Sequence, residues 1–112
     1  MITWYDVGML DDLTPLTART ARIGGKGIAI FRTEDDRVFA LENKCPHRGG
    51  PLVEGIVHAH RVACPLHNWV IDLQTGTATG ADKGCAQSFP IQLVDGRIRL
   101  GLPANEAAGL PH

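Results

Sequence analysis

The chain has 112 residues, 44% of them hydrophobic and 21% charged, with a formal net charge of −1 and three cysteines. That length suits one domain with a real core; the near-zero charge argues against nucleic acid or an anionic membrane surface as partner. An odd cysteine count argues against a disulfide framework and for a reducing compartment. The start, Met1-Ile2-Thr3-Trp4-Tyr5-Asp6, lacks the basic-then-apolar pattern of a secretory signal. No apolar stretch nears the roughly 20 residues of a membrane span, so the expected location is the cytoplasm.

In chain order, Thr3-Trp4-Tyr5-Asp6-Val7 reads as an opening strand, and the turn-rich Asp11-Asp12-Leu13-Thr14-Pro15-Leu16 as a loop. After Gly24-Gly25, the run Gly27-Ile28-Ala29-Ile30-Phe31-Arg32 has the length and β-branched content of a buried strand. Glu34-Asp35-Asp36 is a polar turn, and Arg37-Val38-Phe39-Ala40-Leu41-Glu42 completes a hairpin that runs into Cys45. Gly55-Ile56-Val57 and Arg61-Val62-Ala63 are short enough to pair around His58 to His60, and Trp69-Val70-Ile71-Asp72-Leu73 stops at Thr75-Gly76. The glycine-rich connection carrying Lys83 and Cys85 is expected to be irregular. Asp95-Gly96 suits a two-residue type I′ turn, because both central residues need positive φ. Folding there sets Leu93 opposite Ile98, Ile91 opposite Leu100 and Gln92 opposite Arg99, with the apolar pairs on one face. Residues 103–112 are expected to fray. Without sustained helical periodicity or an internal repeat, the pattern is that of an all-β antiparallel sandwich or barrel.

The chemistry lies in Cys45-Pro46-His47-Arg48-Gly49-Gly50-Pro51-Leu52 and Cys64-Pro65-Leu66-His67-Asn68-Trp69. Thiolate and imidazole recur as C-x-H and C-x-x-H on two loops. Two chemistries use such a set: tetrahedral zinc, and a 2Fe–2S cluster in which two histidines replace two cysteines on one iron. Zinc sites commonly draw like pairs from one knuckle or one helical face. Here each pair is mixed, so the two loops together offer a cysteine pair, Cys45 and Cys64, for one iron and a histidine pair, His47 and His67, for the other. The spacing favours the cluster over a structural zinc β-domain. Pro46 and Pro65 stiffen the loops, and Gly49 and Gly50 allow close backbone approach to inorganic sulfide. No nucleophile in a recognisable setting, paired carboxylates or phosphate loop offers a substrate site, so no catalytic residue is expected in this chain.

C-P-H-R-G-G-P-L followed by C-P-L-H-N-W resembles the Rieske 2Fe–2S proteins. The surrounding Gly50-Pro51-Leu52, Asn68-Trp69 and Asp72-Leu73 look most like the small subunit of NAD(P)H-dependent nitrite reductase. The resemblance spans nearly the whole chain. It implies three small antiparallel β-sheets in a single domain over 1–112, with a two-loop cluster-binding subdomain at about 43–75. It implies a Rieske 2Fe–2S cofactor on Cys45, His47, Cys64 and His67, and as partner a large flavin and sirohaem subunit that reduces nitrite to ammonia. The rival client is the terminal oxygenase of an aromatic-ring dioxygenase, served by a stand-alone Rieske ferredoxin.

Departures from the high-potential respiratory Rieske pattern are informative. Where those proteins carry a loop-joining disulfide, this chain has Gly50 and Leu66; where they carry a serine and a tyrosine that donate to sulfur, it has Trp69 and Ile71. Fewer donors to sulfur stabilise the reduced cluster less, which puts the expected midpoint at roughly −150 to 0 mV. Of the other reactive residues, Cys85 reads as a buried cysteine, His58 and His60 as loop residues, Arg48 as a surface arginine, and Trp69 as packing or part of an electron path.

Overall fold

The computed structural model describes residues 2–23, 26–44, 51–64, 69–78 and 86–103. Ten strands form: β1 (Ile2–Met9), β2 (Thr17–Ile23), β3 (Lys26–Arg32), β4 (Val38–Glu42), β5 (Ile56–His58), β6 (Arg61–Ala63), β7 (Val70–Asp72), β8 (Ser88–Phe89), β9 (Ile91–Val94) and β10 (Arg97–Pro103). The only helical elements among the described residues are two 3-10 turns, Leu10–Asp12 and Leu52–Glu54. No helix there is long and apolar enough to cross a membrane. The strands make three antiparallel sheets, ordered β1-β10-β9, β2-β3-β4-β8 and β5-β6-β7. The fold is all-β, with the three sheets the resemblance implies.

The four-stranded sheet is the middle layer, and β3 shows why. Ile28, Ala29, Ile30 and Phe31 are all completely buried. Successive side chains of a strand point to opposite faces, so an unbroken apolar run requires cover on both. Ile28 and Ile30 pack with Val38, Ala40, Phe89, Ile98, Leu100 and Leu102, toward the β1-β10-β9 sheet. Ala29 and Phe31 pack with Leu41, Leu52, Val57, Val62, Ile71 and Leu73, toward the β5-β6-β7 sheet. Each fully buried Leu, Ile or Phe contributes about 1.5–3 kcal/mol from burial, so β3 is the seam that holds both outer sheets.

The last hairpin has the predicted register: Leu93 faces Ile98, Gln92 faces Arg99 and Ile91 faces Leu100. Asp95 at φ 51° and Gly96 at φ 79° form the expected turn. Its two arms differ in burial. Ile98 and Leu100 are fully buried while Leu93 is 44% exposed, because β9 is the edge of its sheet and has no neighbour on its outer side.

Two strands differ from expectation. Thr17–Ile23, passed over in the sequence, pairs with all of β3 from Thr17 opposite Arg32 to Ile23 opposite Lys26. Ser88–Phe89, within the connection expected to be irregular, adds to the other side of the same sheet through Ala40 opposite Phe89 and Leu41 opposite Ser88. Pro103 ends β10 opposite Ile2, so ordered pairing reaches the first residue of the expected tail; 104–112 lie outside the described residues.

Candidate metal centre

The β5-β6-β7 sheet borders the two loops expected to carry the ligands. Val57 and Val62, directly opposite one another, turn inward with Ile71. In each of these three-residue strands the middle residue is the buried one, and these three seat the sheet on Phe31 and Leu41. The chain enters the first loop from the end of β4, leaves it through the Leu52–Glu54 turn, and enters the second from the end of β6.

Hydrogen bonds close the bases of three loops, those after β4, after β6 and after β7. For the first loop, Asn43 Oδ1 accepts from the Val53 N–H at 2.8 Å. For the second, the Cys64 N–H donates to the Trp69 carbonyl at 2.7 Å. For the glycine-rich connection, the Ala86 N–H donates to the Gly76 carbonyl at 2.7 Å. The flanks converge as well, because Leu52, Val53, Cys64, Trp69, Ala78 and Ala86 belong to one apolar cluster. The architecture thus gathers the bases of all three loops over a shared apolar floor.

Of the four predicted ligands, Cys64 lies among the described residues, 1% exposed at the end of β6. Cys45, His47 and His67 lie outside them, as do Gly50, Leu66, Arg48 and Cys85. Among the described residues no three His, Cys, Asp or Glu side chains gather as a metal site. The part of the donor set on view fits an iron–sulfur cluster. A thiol excluded from water at a loop base, walled by half-buried Trp69 and fully buried Ile71, is the apolar setting in which cluster potentials are tuned. Ile71, deep in the core, offers no hydroxyl to sulfur.

Asp72 and Leu73 build the turn that leads to the third loop base. Asp72 Oδ1 accepts from the Gln74 and Thr75 N–H groups at 2.8 and 3.1 Å, while Leu73 is 1% exposed. The turn ends on Gly76 at φ 79°, where a Cβ would collide with the Ala86 carbonyl oxygen. Asn43 and Ala86 were not singled out from the sequence, and Gly76 was read only as the end of a strand. Their roles rest on pairings ten residues apart along the chain.

The histidines outside the ligand set sit at the far ends of β5 and β6. His58, opposite Arg61, is exposed. His60 Nε2 contacts both carboxylate oxygens of Asp35 at 3.1 and 3.0 Å, and its ring lies 5.3 Å from that of Phe39. The Glu34-Asp35-Asp36 turn, read as polar and nothing more, therefore ties the middle sheet to the ligand-bearing sheet. A hydrogen bond from Thr33 and then the His60 contact hold the Asp35 carboxyl below its ordinary value.

The Rieske [2Fe-2S] domain family matches residues 3–90. The chain is 34% identical over 100 residues to the anthranilate 1,2-dioxygenase ferredoxin subunit of Burkholderia cepacia, covering 88% of this chain and 92% of that one. The solved structure of the E. coli protein NirD aligns at 29% identity and a TM-score of 0.80, covering 91% and 98% of the two chains. A structure described as an NADPH nitrite reductase small subunit aligns at 25% identity and a TM-score of 0.78, covering 88% and 97%. With three antiparallel sheets, a buried cysteine at a loop base and this match over most of its length, the chain belongs to the Rieske [2Fe-2S] family, and its cofactor is a Rieske 2Fe–2S cluster.

Proposed function

We propose that this chain is the electron-transfer small subunit of an NAD(P)H-dependent nitrite reductase, working in the cytoplasm as one domain over 1–112 with its cluster-binding part at about 43–75. Cys45 and Cys64 hold one iron, and His47 and His67 the other. The bound cluster supplies one-electron acceptance and donation. The chain's own residues hold the loops, keep water from Cys64, and present the outer edges of the ligand histidines to a partner. That partner is a large subunit with flavin and sirohaem, where nitrite becomes ammonia.

The observation that carries this reading is where the subunit-like residues lie. Leu52, Trp69 and Leu73 pack into the floor beneath the loop bases, and Asp72 makes the turn toward the third base. The residues that resemble nitrite reductase small subunits thus lie at the loop bases, and the 25% identity to the NADPH nitrite reductase small subunit supports the reading. A second reading, a ferredoxin component of an aromatic-ring dioxygenase, is favoured by the 34% identity to the anthranilate dioxygenase ferredoxin.

The test is electron delivery. Reduced protein is mixed separately with a sirohaem nitrite reductase large subunit and with a dioxygenase terminal oxygenase. Rapid reoxidation by the first alone supports the proposal, and by the second alone supports the ferredoxin reading. For the ligands, His47→Ala or His67→Ala abolishes the Rieske EPR signal; its retention refutes the assignment.

A further inference from the structure

The first ligand loop has an asymmetry that the other two bases lack. Theirs are closed by backbone-to-backbone hydrogen bonds; this one is closed by a side chain. On the entry side, β4 stays paired to its end: the Glu42 N–H donates to the Gln87 carbonyl at 2.7 Å and the Asn43 N–H to the Gly27 carbonyl at 3.1 Å. On the exit side, Leu52 is fully buried and starts a 3-10 turn. The first N–H groups of such a turn have no partner within it. Pro51, at the N-cap position, makes no side-chain cap hydrogen bond. The missing cap comes from across the loop, where Asn43 Oδ1 receives the Val53 N–H at 2.8 Å.

We infer that Asn43 is a positioning residue for the cluster: by capping the Leu52–Glu54 turn from the end of β4, it sets the span of the loop that carries Cys45 and His47. This rests on the proposed assignment of those two residues as ligands. The amide is the right length to bridge from β4 to Val53. Aspartate keeps an acceptor oxygen at the same reach. Leucine keeps the shape without the acceptor, and glutamine keeps the amide but carries it one methylene further.

The experiment compares Asn43→Leu and Asn43→Asp with the wild-type holoprotein, purified with cluster bound and reduced by dithionite. The expected result for Asn43→Leu is an EPR spectrum with shifted or broadened g-values and cluster loss to a chelator accelerated several-fold. Asn43→Asp restores the wild-type line shape. A purely structural role would lower the melting temperature and leave the line shape of the bound cluster unchanged. If Asn43→Leu keeps the wild-type spectrum and cluster lifetime, the inference is overturned. Should that variant not fold, Asn43→Gln is read the same way: an altered spectrum supports the role and an unaltered one overturns it. The ligand assignment is judged separately by His47→Ala, so the two can fail independently.

Discussion

Gly76→Ala separates two costs that usually arrive together. Gly76 has φ 79°, and a Cβ there would strike the Ala86 carbonyl oxygen, with the Ala86 carbonyl carbon at 3.2 Å and Leu41 Cδ2 at 3.4 Å. Gly96 shares the same φ, but its Cβ would meet only the Met9 methyl carbon at 3.8 Å. Gly27 has neither constraint, its nearest neighbour being Arg22 Nη1 at 3.8 Å. Left-handed backbone costs alanine about 1–2 kcal/mol. Displacing Ala86 also sacrifices the hydrogen bond it donates to Gly76, worth about 1 kcal/mol. Gly27→Ala should therefore change stability by under about 1 kcal/mol. Gly96→Ala should cost about 1–2 kcal/mol, and Gly76→Ala about 2–4 kcal/mol once the collision is added. For a domain of this size the last corresponds to a fall in Tm of roughly 10–20 °C. The assay is urea unfolding of the three holo variants, with cluster absorbance followed beside far-UV circular dichroism. Because Gly76 closes a loop base above the shared apolar floor, its variant should also release cluster before the sheets unfold. If Gly76→Ala loses no more stability than Gly96→Ala, the collision is not real and the base of the third loop has slack.

Leu52→Ala removes a fully buried anchor at the exit of the loop proposed to carry Cys45 and His47 and should cost about 2–5 kcal/mol in denaturant unfolding; a loss below about 1 kcal/mol would show that the floor can collapse around the gap. Thr33 and then His60 hold the Asp35 carboxyl below its ordinary value. The stabilisation from that group is thus present above the unfolded-state carboxylate pKa and lost as pH falls through the folded one. Melting curves of wild type and Asp35→Asn should accordingly be separated above the carboxylate range and converge as pH falls below the folded-state pKa, and a gap that persists in strong acid would refute the linkage. A redox titration should place the midpoint at roughly −150 to 0 mV, and a strongly positive value would contradict the argument from Trp69 and Ile71.

Chemistry and most of the strand order were readable in the sequence, because both are written in local spacing. The C-x-H and C-x-x-H loops announced a metal centre. Asp95-Gly96 announced its turn and register, which need only adjacent residues and a positive φ. The apolar run of β3 announced a strand buried on both faces.

What stayed hidden depends on partners distant in the chain. Thr17–Ile23 reads as Thr, Ala and Arg in alternation, a weak strand signal. It becomes a strand because β3 offers a full row of hydrogen-bond partners, and because Arg19 reaches Val7 in β1 while Arg32 on β3 reaches Leu10 and Leu13 between β1 and β2. Ser88–Phe89 is too short to signal anything alone and is ordered by β4. The same holds at the site. Its candidate ligands could be named from local spacing alone. The Asn43 cap on Val53, the Gly76 approach to Ala86 and the His60 contact with Asp35 exist only once three sheets have stacked. Spacing along the chain therefore named the candidate ligands, and the layered packing around β3 decided which groups close the bases of those loops.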